Sequence, residues 1–474
     1  MRHLLGLLVC VLLATAFVSG GEPRDPTPSD ADIRSLLAQR IDVYHQSVGI
    51  VVGMIGPEGR RVIGYGHARE GDDRPVDGRT VFEIASLTKL FTSLLLADAV
   101  GRGEVALSDP AGKYLPATVR LPQRNGRQIR LVDLATHTSG LPKDPANFVP
   151  GDGDDWENGY TTDDMYSFLS SYHLTRDPGS RCEYSNLGVS LLGQALTRRM
   201  GKDYEDLVRQ RITGPLGMRD TAVTLSQDML SRAAQGHGYA LYPVPATTLR
   251  VFAGAGSLRS TVDDLLTFLG TELGYEQTSL TSAFAVTRDV QHRCVPLLGR
   301  LAGLRFAIHL GWLDSKEGGV SLLWHDGATR GFQSFIGFNP KTRTGVVVLS
   351  NAGSGAGVDD IGKHLLNRRV ALLSADKLRM PRRYTEIALD AAVLDGYTGR
   401  YKFPEAGATV TRRDGHLVLQ GDGDQPDSFY PSGAREFFSK RQDLQLRFEF
   451  DPQGRVTGFV FVNAGQEQRI PRVD

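Results

Sequence analysis

The sequence lacks several features that would assign it to other classes of protein. It carries no excess of either charge, because 54 lysines and arginines stand against 54 aspartates and glutamates. Such a balance argues against a basic surface that binds nucleic acid and against a polybasic patch that binds membranes. The pentapeptide Gly-x-Ser-x-Gly, on which an α/β-hydrolase places its nucleophile, does not occur in the chain. The composition, with 41% hydrophobic and 23% charged residues, is that of an ordinary soluble globular protein.

Cysteine is scarce, and the few cysteines leave the redox state open. Cys10 lies inside the N-terminal apolar run, which is predicted below to be part of a cleaved signal peptide. Cys182 and Cys294 are the two cysteines that would remain after cleavage. A disulfide between them and a pair of unlinked buried thiols are both compatible with an oxidising compartment. The acidic residues of segment 152–157 lack the alternating ligands and the glycine of a calcium loop. They predict a solvated loop and no metal site.

The long apolar run of a membrane-spanning helix is also missing. Arg2 and His3 precede an apolar run of 15 residues, 4–18, and small residues follow at 19–21. A charged start, a short apolar core and a small-residue exit are typical of a secretory signal peptide, predicted here over residues 1–21. An uncleaved anchor is the alternative, although the run is short for a spanning helix. We expect a secreted or periplasmic protein with no membrane span after cleavage.

The pattern of predicted elements divides the remaining chain into two domains. Helical patterns at both ends, strands early and late and a helical middle predict an α/β sandwich with a separate helical lobe over residues 22–375. Its late strands, separated by short turns, predict an antiparallel meander. Residues 376–388, rich in lysine and arginine, predict a linker. Short alternating strands over residues 389–474 predict a small all-β barrel. The predicted strands cover 399–403, 409–412, 417–420, 437–440, 444–450 and 456–462.

The stretch 80–100 holds the first candidate for chemistry. Residues 87–100 are apolar on nearly every side, which predicts a buried helix. Ser86 and Lys89 share a face of its first turn, and a hydroxyl beside an amine suggests an activated serine nucleophile. The alternative is a capping serine with a snorkelling lysine. A second Ser-x-x-Lys, Ser374 to Lys377, lies in a polar stretch, so the buried context favours Ser86.

A second candidate is Tyr184-Ser-Asn186, directly before a predicted helix. A lysine ammonium near a tyrosine favours phenolate, so we expect the pKa of Tyr184 to be lowered by Lys89. The phenol is then a candidate general base for Ser86 and a later acid for the leaving group. Asn186 offers an amide to both the lysine and a substrate carbonyl. The alternative is a turn with an exposed tyrosine and a capping asparagine.

A third candidate is His325-Asp-Gly327, which follows an apolar strand predicted over 320–324. Small residues after it let a ligand lie along the backbone. Two other segments share the pattern of a basic residue, any residue and glycine: His309-Leu-Gly311 and Lys316-Glu-Gly318. Their simpler interpretation is a strand histidine and a turn lysine.

In this order, Ser86-Leu-Thr-Lys89, Tyr184-Ser-Asn186 and His325-Asp-Gly327 resemble the motifs of the serine β-lactamase and penicillin-binding protein superfamily. The Tyr-x-Asn form is similar to the class C branch, which includes class C β-lactamases, D-alanyl-D-alanine carboxypeptidases, D-aminopeptidases and β-lactamase-like esterases. The resemblance covers roughly residues 30–373. The segment after 385 resembles the lipocalin-like barrel often appended to such hydrolases.

The resemblance implies a fold and a set of roles. The fold is an antiparallel sheet flanked by helices, with a helical lobe. Ser86 would attack the acyl carbon while Lys89 and Tyr184 manage its proton, and the choice of base between them stays open. The backbone N–H groups of Ser86 and Ala328 would form the oxyanion hole, and no metal or cofactor is implied. The residues implied for substrate binding are Asn186, His325, Asp326, Gly327 and Ala328.

Two departures from the class C pattern bear on the substrate. His325 stands where class C β-lactamases usually have lysine, and Asp326 stands where a hydroxyl residue commonly helps to bind a substrate carboxylate. A carboxylate repels a carboxylate unless Arg330 compensates. We therefore expect peptide, amide or ester substrates, peptidoglycan-type peptides included, and slow hydrolysis of cephalosporins. The alternatives are a true β-lactamase and a penicillin-binding sensor without turnover.

Overall fold

The structure, a computed structural model, describes residues 28–151, 157–289, 292–294, 306–353, 356–378, 382–404, 406–421 and 426–473. The predicted signal peptide, residues 1–21, lies outside these ranges, as does most of the acidic segment 152–157. Across the described ranges, every helix is too short or too polar to span a bilayer.

The α-helices of the described ranges concentrate in the first 370 residues. They are α1 (Asp30–Ala38), α2 (Thr88–Gly101), α3 (Leu131–Ala135), α4 (Thr162–Ser171), α5 (Asn186–Met200), α6 (Tyr204–Val208), α7 (Gly214–Leu216), α8 (Gln227–Arg232), α9 (Ala253–Gly256), α10 (Val262–Glu272), α11 (Thr281–Asp289), α12 (Asp359–Leu366) and α13 (Ala391–Asp395). Helix α12 ends at Leu366, because the chain turns extended at Asn367.

The strands form two large sheets and two small ribbons. The strands before the linker are β1 (Gly49–Gly56), β2 (Gly59–Gly66), β3 (Phe82–Glu83), β4 (Gln123–Arg124), β5 (Arg127–Gln128), β6 (Arg259–Ser260), β7 (His292–Cys294), β8 (Phe306–Ile308), β9 (Leu313–Glu317), β10 (Val320–Ala328), β11 (Gln333–Asn339) and β12 (Thr344–Ser350). Those after it are β13 (Gly399–Lys402), β14 (Gly407–Arg413), β15 (His416–Gly421), β16 (Asp427–Pro431), β17 (Glu436–Ser439), β18 (Leu444–Phe450), β19 (Val456–Asn463) and β20 (Gln466–Pro471).

The first large sheet lies between two layers of helices. Its order is β2-β1-β12-β11-β10-β9-β8-β7, with antiparallel neighbours throughout. One core joins a face of this sheet to α1 and α12, through residues such as Ile33 and Ile361. A second, larger core joins the opposite face to α10 and to the helical lobe. The predicted α/β fold with an antiparallel meander is confirmed.

Helix α2 lies inside the larger core. Every residue from Thr88 to Ala99 is buried, and the ring of Phe91 packs 4.8 Å from that of Phe268 on α10. Burial of each large apolar side chain contributes about 1.5–3 kcal/mol to stability. The all-round apolar pattern thus produces a rigid central helix, on whose first turns the candidate residues are carried.

The second sheet is a nearly closed barrel. Its strands run in chain order from β13 to β20, and a bridge between Tyr401 and Arg472 brings its two edges together. Aromatic rings fill it, with Tyr397 4.4 Å from Phe448 and Tyr401 4.8 Å from Phe459. The predicted all-β barrel is confirmed, although two of its strands, β16 and β20, escape prediction. The exact domain boundaries stay a prediction.

The barrel contacts the first domain through a small aromatic cluster around Tyr242. Tyr242 Oη donates to the carbonyl of Tyr384 at 2.5 Å and accepts from the backbone N–H of Tyr384 at 2.6 Å. The rings of Tyr242 and Tyr384 lie 5.4 and 5.3 Å from that of Phe438 on β17. An ion pair between Arg383 and Glu70 adds to this contact.

Cys182 is buried and disulfide-bonded. Of the two states that the sequence left open for this cysteine, the structure has the bridged one. The residue stands two positions before Tyr184, so the bond restrains the segment that carries the candidate phenol.

Candidate active site

Ser86 lies in a single 3₁₀ turn, Ala85–Leu87, between β3 and α2. Ala85 has a φ of 50°, a left-handed conformation that is uncommon for a residue with a Cβ atom. The carbonyl of Ile84 accepts from Leu87 N at 3.1 Å and from Ser334 Oγ on β11 at 2.9 Å. The turn is therefore held from within and from the sheet, which fixes the serine hydroxyl at the start of α2.

Lys89 brings its amine to this hydroxyl. Its Nζ lies 2.9 Å from Ser86 Oγ and donates to the carbonyl of Ala255 at 2.7 Å, and the residue is 1% exposed. Burial lowers the pKa of Lys89 to about 7, although the charges of Asp144 and Asp326 act in the opposite direction. About half of the amine is then neutral at pH 7 and able to accept a proton.

The short helix α9, which supplies this carbonyl, is fixed to α2. Thr92 Oγ1 donates to the carbonyl of Gly254 at 2.6 Å, and Thr88 Oγ1 accepts from Leu258 N at 3.1 Å. No sequence pattern predicts a role for Ala255. Because its contribution is a backbone carbonyl, the identity of its side chain carries no signal for this role.

Tyr184 reaches the same hydroxyl from the helical lobe. Its Oη donates to Ser86 Oγ at 2.8 Å, and its ring centroid lies 4.9 Å from Lys89 Nζ. Burial raises the pKa of Tyr184, and the hydrogen bond with Ser86 offsets only part of that effect. The expectation that the lysine would lower this pKa was wrong, because loss of solvation outweighs the neighbouring amine. The phenol is protonated at neutral pH and acts as a donor.

His137 supports Tyr184 from behind. The two rings lie 4.5 Å apart with an interplanar angle of 32°. His137 Nδ1 accepts from Ser185 N at 3.1 Å, and its carbonyl accepts from Glu183 N at 2.8 Å. Burial holds the pKa of His137 well below its usual value, so the ring is neutral. No sequence pattern predicts a role for His137. Its backbone has a φ of 56°, a left-handed conformation that the sequence does not indicate.

Asn186 opens α5 beside the phenol. Its Nδ2 donates to Asp144 Oδ1 at 2.9 Å. That the amide serves both the lysine and a substrate carbonyl stays a prediction. The carbonyl of Lys143 accepts from Asn186 N at 2.9 Å and from Leu187 N at 3.1 Å. The first turn of α5 therefore binds the segment that carries Asp144, a residue the sequence analysis missed.

His325 and Asp326 lie on β10, next to this group. His325 is 1% exposed, its ring centroid is 6.2 Å from that of Tyr184, and its Nδ1 lies 2.6 Å from the carbonyl of Asp326. A carbonyl accepts only, so Nδ1 carries the proton. Burial lowers the pKa of His325 to about 4, and the imidazole is neutral at pH 7. Its contact with Tyr184 is between rings.

Gly327 brings β10 against the nucleophile turn. A Cβ atom at this position would lie 2.4 Å from Ser334 Oγ, 2.7 Å from Ile84 O and 2.9 Å from Ser86 N. Only glycine allows so close an approach. Ala328, the last residue of β10, is exposed beside it. The two backbone N–H groups implied for the oxyanion hole thus come from chain segments in direct contact.

The structure therefore brings three distant segments to one hydroxyl. Tyr184 and Ser86 are 98 residues apart in the chain, and β10 lies further along. The Beta-lactamase family model matches residues 33–369.

The chain belongs to the beta-lactamase family. It is 30% identical over 355 residues to the D-alanyl-D-alanine-carboxypeptidase/endopeptidase AmpH of Escherichia coli, covering 73% of this chain and 91% of that protein. A crystal structure of a beta-lactamase/D-alanine carboxypeptidase from Yersinia pestis, complexed with citrate, superposes with a TM-score of 0.61. It is 26% identical and covers 72% of this chain and 97% of its own.

The barrel has its own match. Residues 384–470 match a family model described as a domain of unknown function, DUF3471. Penicillin-binding protein 4* of Bacillus subtilis is similar along both parts, with 24% identity over 462 residues, 92% of this chain and 97% of that protein. The similarity to that protein therefore extends over both the first domain and the barrel.

Proposed function

We propose that this beta-lactamase family member is a serine hydrolase that forms an acyl-enzyme on Ser86. Its substrates would be peptides, amides or esters of the kind cleaved by D-alanyl-D-alanine carboxypeptidases, D-aminopeptidases and esterases. One observation carries the proposal: Lys89 Nζ and Tyr184 Oη both lie within hydrogen-bond distance of Ser86 Oγ, at 2.9 and 2.8 Å. A hydroxyl held between an amine and a phenol is the arrangement that activates a serine nucleophile.

Acylation begins with the neutral amine of Lys89. It accepts the proton of Ser86 as Oγ bonds to the acyl carbon and the carbonyl electron pair moves to oxygen. The bond to the leaving group then breaks, and Tyr184 donates its proton to that group. The Lys89 ammonium returns a proton to the phenol. The pKa of Lys89, lowered to about 7 by burial, and the raised pKa of Tyr184 support this division of base and acid.

Charge on the intermediate needs fixed donors. The N–H groups of Ser86 and Ala328 are proposed to bind the oxyanion, a contribution of about 10²–10³ in rate for one such donor. The neutral imidazole of His325 and the tilted ring of His137 are proposed to hold Tyr184 in place. Asn186 is proposed to bind the substrate amide, with Asp144 fixing the orientation of its side chain.

Deacylation reverses these steps with water as the nucleophile. Water attacks the ester carbon and gives a proton to Lys89. The bond to Ser86 Oγ breaks, the proton returns to that oxygen, and the acid product leaves. Proton transfer of this type by a positioned side chain contributes about 10²–10⁴ in rate.

Time-resolved mass spectrometry tests the proposal. The intact protein is mixed with an aryl ester and, separately, with benzylpenicillin, and the acylated peptide is mapped. We expect a transient adduct on the peptide that contains Ser86, and its rapid loss indicates hydrolysis. A persistent adduct without turnover favours a penicillin-binding sensor instead. No adduct with either reagent would overturn the acyl-enzyme.

Hydrolysis of β-lactams is the second candidate function, favoured by relatives that are named beta-lactamases. Asp326 argues against efficient turnover, since its carboxylate would repel the carboxylate that β-lactam antibiotics carry. A chromogenic cephalosporin should therefore give a much lower kcat/KM than an aryl ester. Comparable values for the two would favour a beta-lactamase. Secretion or periplasmic residence, which either activity would fit, also stays a proposal.

A further inference from the structure

The sequence predicts a solvated acidic loop over residues 152–157, but the last residue of that segment is buried. Glu157 is 0% exposed, so the prediction is wrong for this side chain. Its Oε1 accepts from Phe252 N at 2.9 Å. Its Oε2 has no hydrogen-bond partner among the described residues, and Arg250 Nε lies 3.8 Å away from it. Removing a carboxylate from water is costly, so the backbone contact that Glu157 makes is the feature to explain.

Phe252 is the residue that leads into the short helix α9. Ala255 N donates to the carbonyl of Phe252 at 2.9 Å, which closes the first turn of α9. The ring of Phe252 also packs 5.0 Å from that of Phe148 and 5.8 Å from that of Tyr160. The bond from Phe252 N to Glu157 therefore fixes the start of α9 in a packed aromatic cluster.

The carbonyls of α9 are the acceptors for side chains of α2. The carbonyl of Gly254 accepts from Thr92 Oγ1 at 2.6 Å, and that of Ala255 accepts from Lys89 Nζ at 2.7 Å. Along the helix axis, Ala255 is only about 4.5 Å from Phe252. Because α9 has just four residues, Ala253–Gly256, a displacement at its start moves both carbonyls.

Glu157 acts on the amine of Lys89 through position and not through charge. Three other residues carry the charges that shift the pKa of Lys89: Asp144, Asp326 and Lys143. A hydrogen bond to the charged form of a group favours that form, so the carbonyl of Ala255 stabilises the ammonium. The proton affinity of Lys89 therefore depends on an acceptor that Glu157 keeps in place.

We propose that Glu157 is a positioning residue for the catalytic base: its carboxylate holds α9 so that the carbonyl of Ala255 stays at the Lys89 amine. Glu157 is fully buried and bonded to backbone, so it acts on the reaction only through Lys89. The inference rests on the proposed acyl transfer at Ser86. It adds to that proposal the group that keeps the base in one position while its proton leaves and returns.

Three substitutions at position 157 separate the hydrogen bond from the charge. Glu157→Gln keeps an acceptor oxygen for Phe252 N and removes the charge, whereas Glu157→Met removes both and keeps the length of the side chain. Glu157→Asp keeps the charge and shortens the reach by one methylene group. Glu205→Met is the matched control, because Glu205 Oε1 also accepts from the backbone N–H of a distant residue, Thr224 N at 2.8 Å, and not from α9.

The full-length variants are assayed with an aryl ester from pH 5 to 10. Glu157→Met should lower kcat by about 10²-fold, the scale of a misplaced catalytic group. The midpoint of its kcat/KM profile should move down by about one pH unit, because the ammonium loses an acceptor. Glu157→Gln should stay within about threefold of wild type and keep the midpoint, since the bond survives. Glu205→Met should lower the Tm and leave kcat and the midpoint unchanged.

Two results would overturn the role of Glu157. A lower kcat and Tm in Glu157→Met with the wild-type midpoint would show a merely structural residue. Equal losses in Glu157→Gln and Glu157→Met would assign the effect to the charge and not to the bond. If circular dichroism shows that Glu157→Met does not fold, Glu157→Asp decides on the same two readouts, and we expect a lower kcat and a lower midpoint there too.

A measurement without turnover separates this inference from the proposed hydrolase. The pKa of Lys89 is titrated by NMR of protein labelled with ¹³C-lysine, in wild type and in Glu157→Met, and Lys89→Arg identifies the signal. If the wild type is inert towards the ester while the two pKa values differ, the hydrolase fails and the positioning stands. If the wild type is active and the two pKa values agree, the positioning fails and the hydrolase stands.

Discussion

The chain contains the same Ser-x-x-Lys spacing twice, in opposite environments. Ser86 and Lys89 lie at the start of a buried helix, and the lysine is 1% exposed. Ser374 and Lys377 lie in an exposed turn, where Lys377 N donates to Ser374 O at 2.9 Å. In the first copy the side chains are joined by a hydrogen bond of 2.9 Å, with Tyr184 as a third partner.

The difference teaches what the spacing does and what burial does. Three residues along a helical turn bring the side chains of Ser86 and Lys89 to one side. Only the first copy removes water from the amine, which lowers the pKa of Lys89 to about 7, and only there does a phenol complete the group. The Ser-x-x-Lys spacing therefore brings a hydroxyl and an amine together, and burial with a neighbouring phenol makes them reactive.

The sharpest test of this comparison removes each serine. Ser86→Ala should abolish turnover of an aryl ester, a loss on the order of 10⁶-fold in kcat, because the nucleophile is gone. Ser374→Ala should keep wild-type kcat/KM, since its hydroxyl is exposed. Steady-state kinetics measure both, and circular dichroism checks the folds. Activity retained in Ser86→Ala would rule out this nucleophile.

The second test removes the third partner that the exposed copy lacks. Tyr184→Phe should lower kcat by about 10²–10⁴-fold, the usual scale of general acid–base catalysis. Tyr275→Phe is the control, because its hydroxyl also makes a hydrogen bond, to Arg343 O at 2.7 Å. A Tyr184→Phe protein within threefold of wild type would remove the phenol from the mechanism.

The third test disturbs the contact between β10 and the nucleophile turn. Gly327→Ala places a Cβ atom 2.9 Å from Ser86 N and 2.7 Å from Ile84 O, so the turn has to shift. We expect kcat to fall by about 10²–10³-fold, the cost of losing one oxyanion donor. Gly101→Ala, at the end of α2 with no atom within 4 Å of the added carbon, is the control. Equal kinetics for the two variants would contradict the close approach.

The fourth test measures the pKa of the buried Lys89 amine from the pH dependence of kcat/KM. Acylation requires neutral Lys89, so kcat/KM for an uncharged ester should rise about tenfold per pH unit up to about pH 7 and then level off. His325, with its pKa lowered to about 4, stays neutral over this range. A stopped-flow profile from pH 5 to 10 measures the midpoint. A midpoint near 10, the value of an exposed lysine such as those in solution peptides, would show that burial does not control the base.

Sequence reasoning named Ser86, Lys89 and Tyr184, which the structure brings within hydrogen-bond distance, and missed the groups that hold them there. Ser86, Tyr184 and His325 stand in short motifs whose order is itself informative. The carbonyl of Ala255 and the placement of Asp144 depend on how distant segments pack, which no local pattern encodes. The direction of the Tyr184 pKa was wrong because one neighbouring charge was weighed and the loss of solvation was not.

The fold was predictable where a pattern repeats. The apolar residues of α2 and the alternation of β18 and β19 identify these elements directly. Strand β20 escaped because it is exposed along most of its length, and β16 escaped because proline ends it. Both are held by pairing with neighbours, and pairing partners are a property of the folded barrel.

The left-handed backbone of Ala85 sets a limit on engineering this protein. A residue with a Cβ atom in that conformation costs about 1–3 kcal/mol, which the surrounding structure has to supply. Replacing Ala85 by glycine would relieve this strain and raise the thermal stability of the protein. It would also hold the hydroxyl of Ser86 less firmly in position. At position 85, thermal stability and a fixed position of the nucleophile therefore favour different residues.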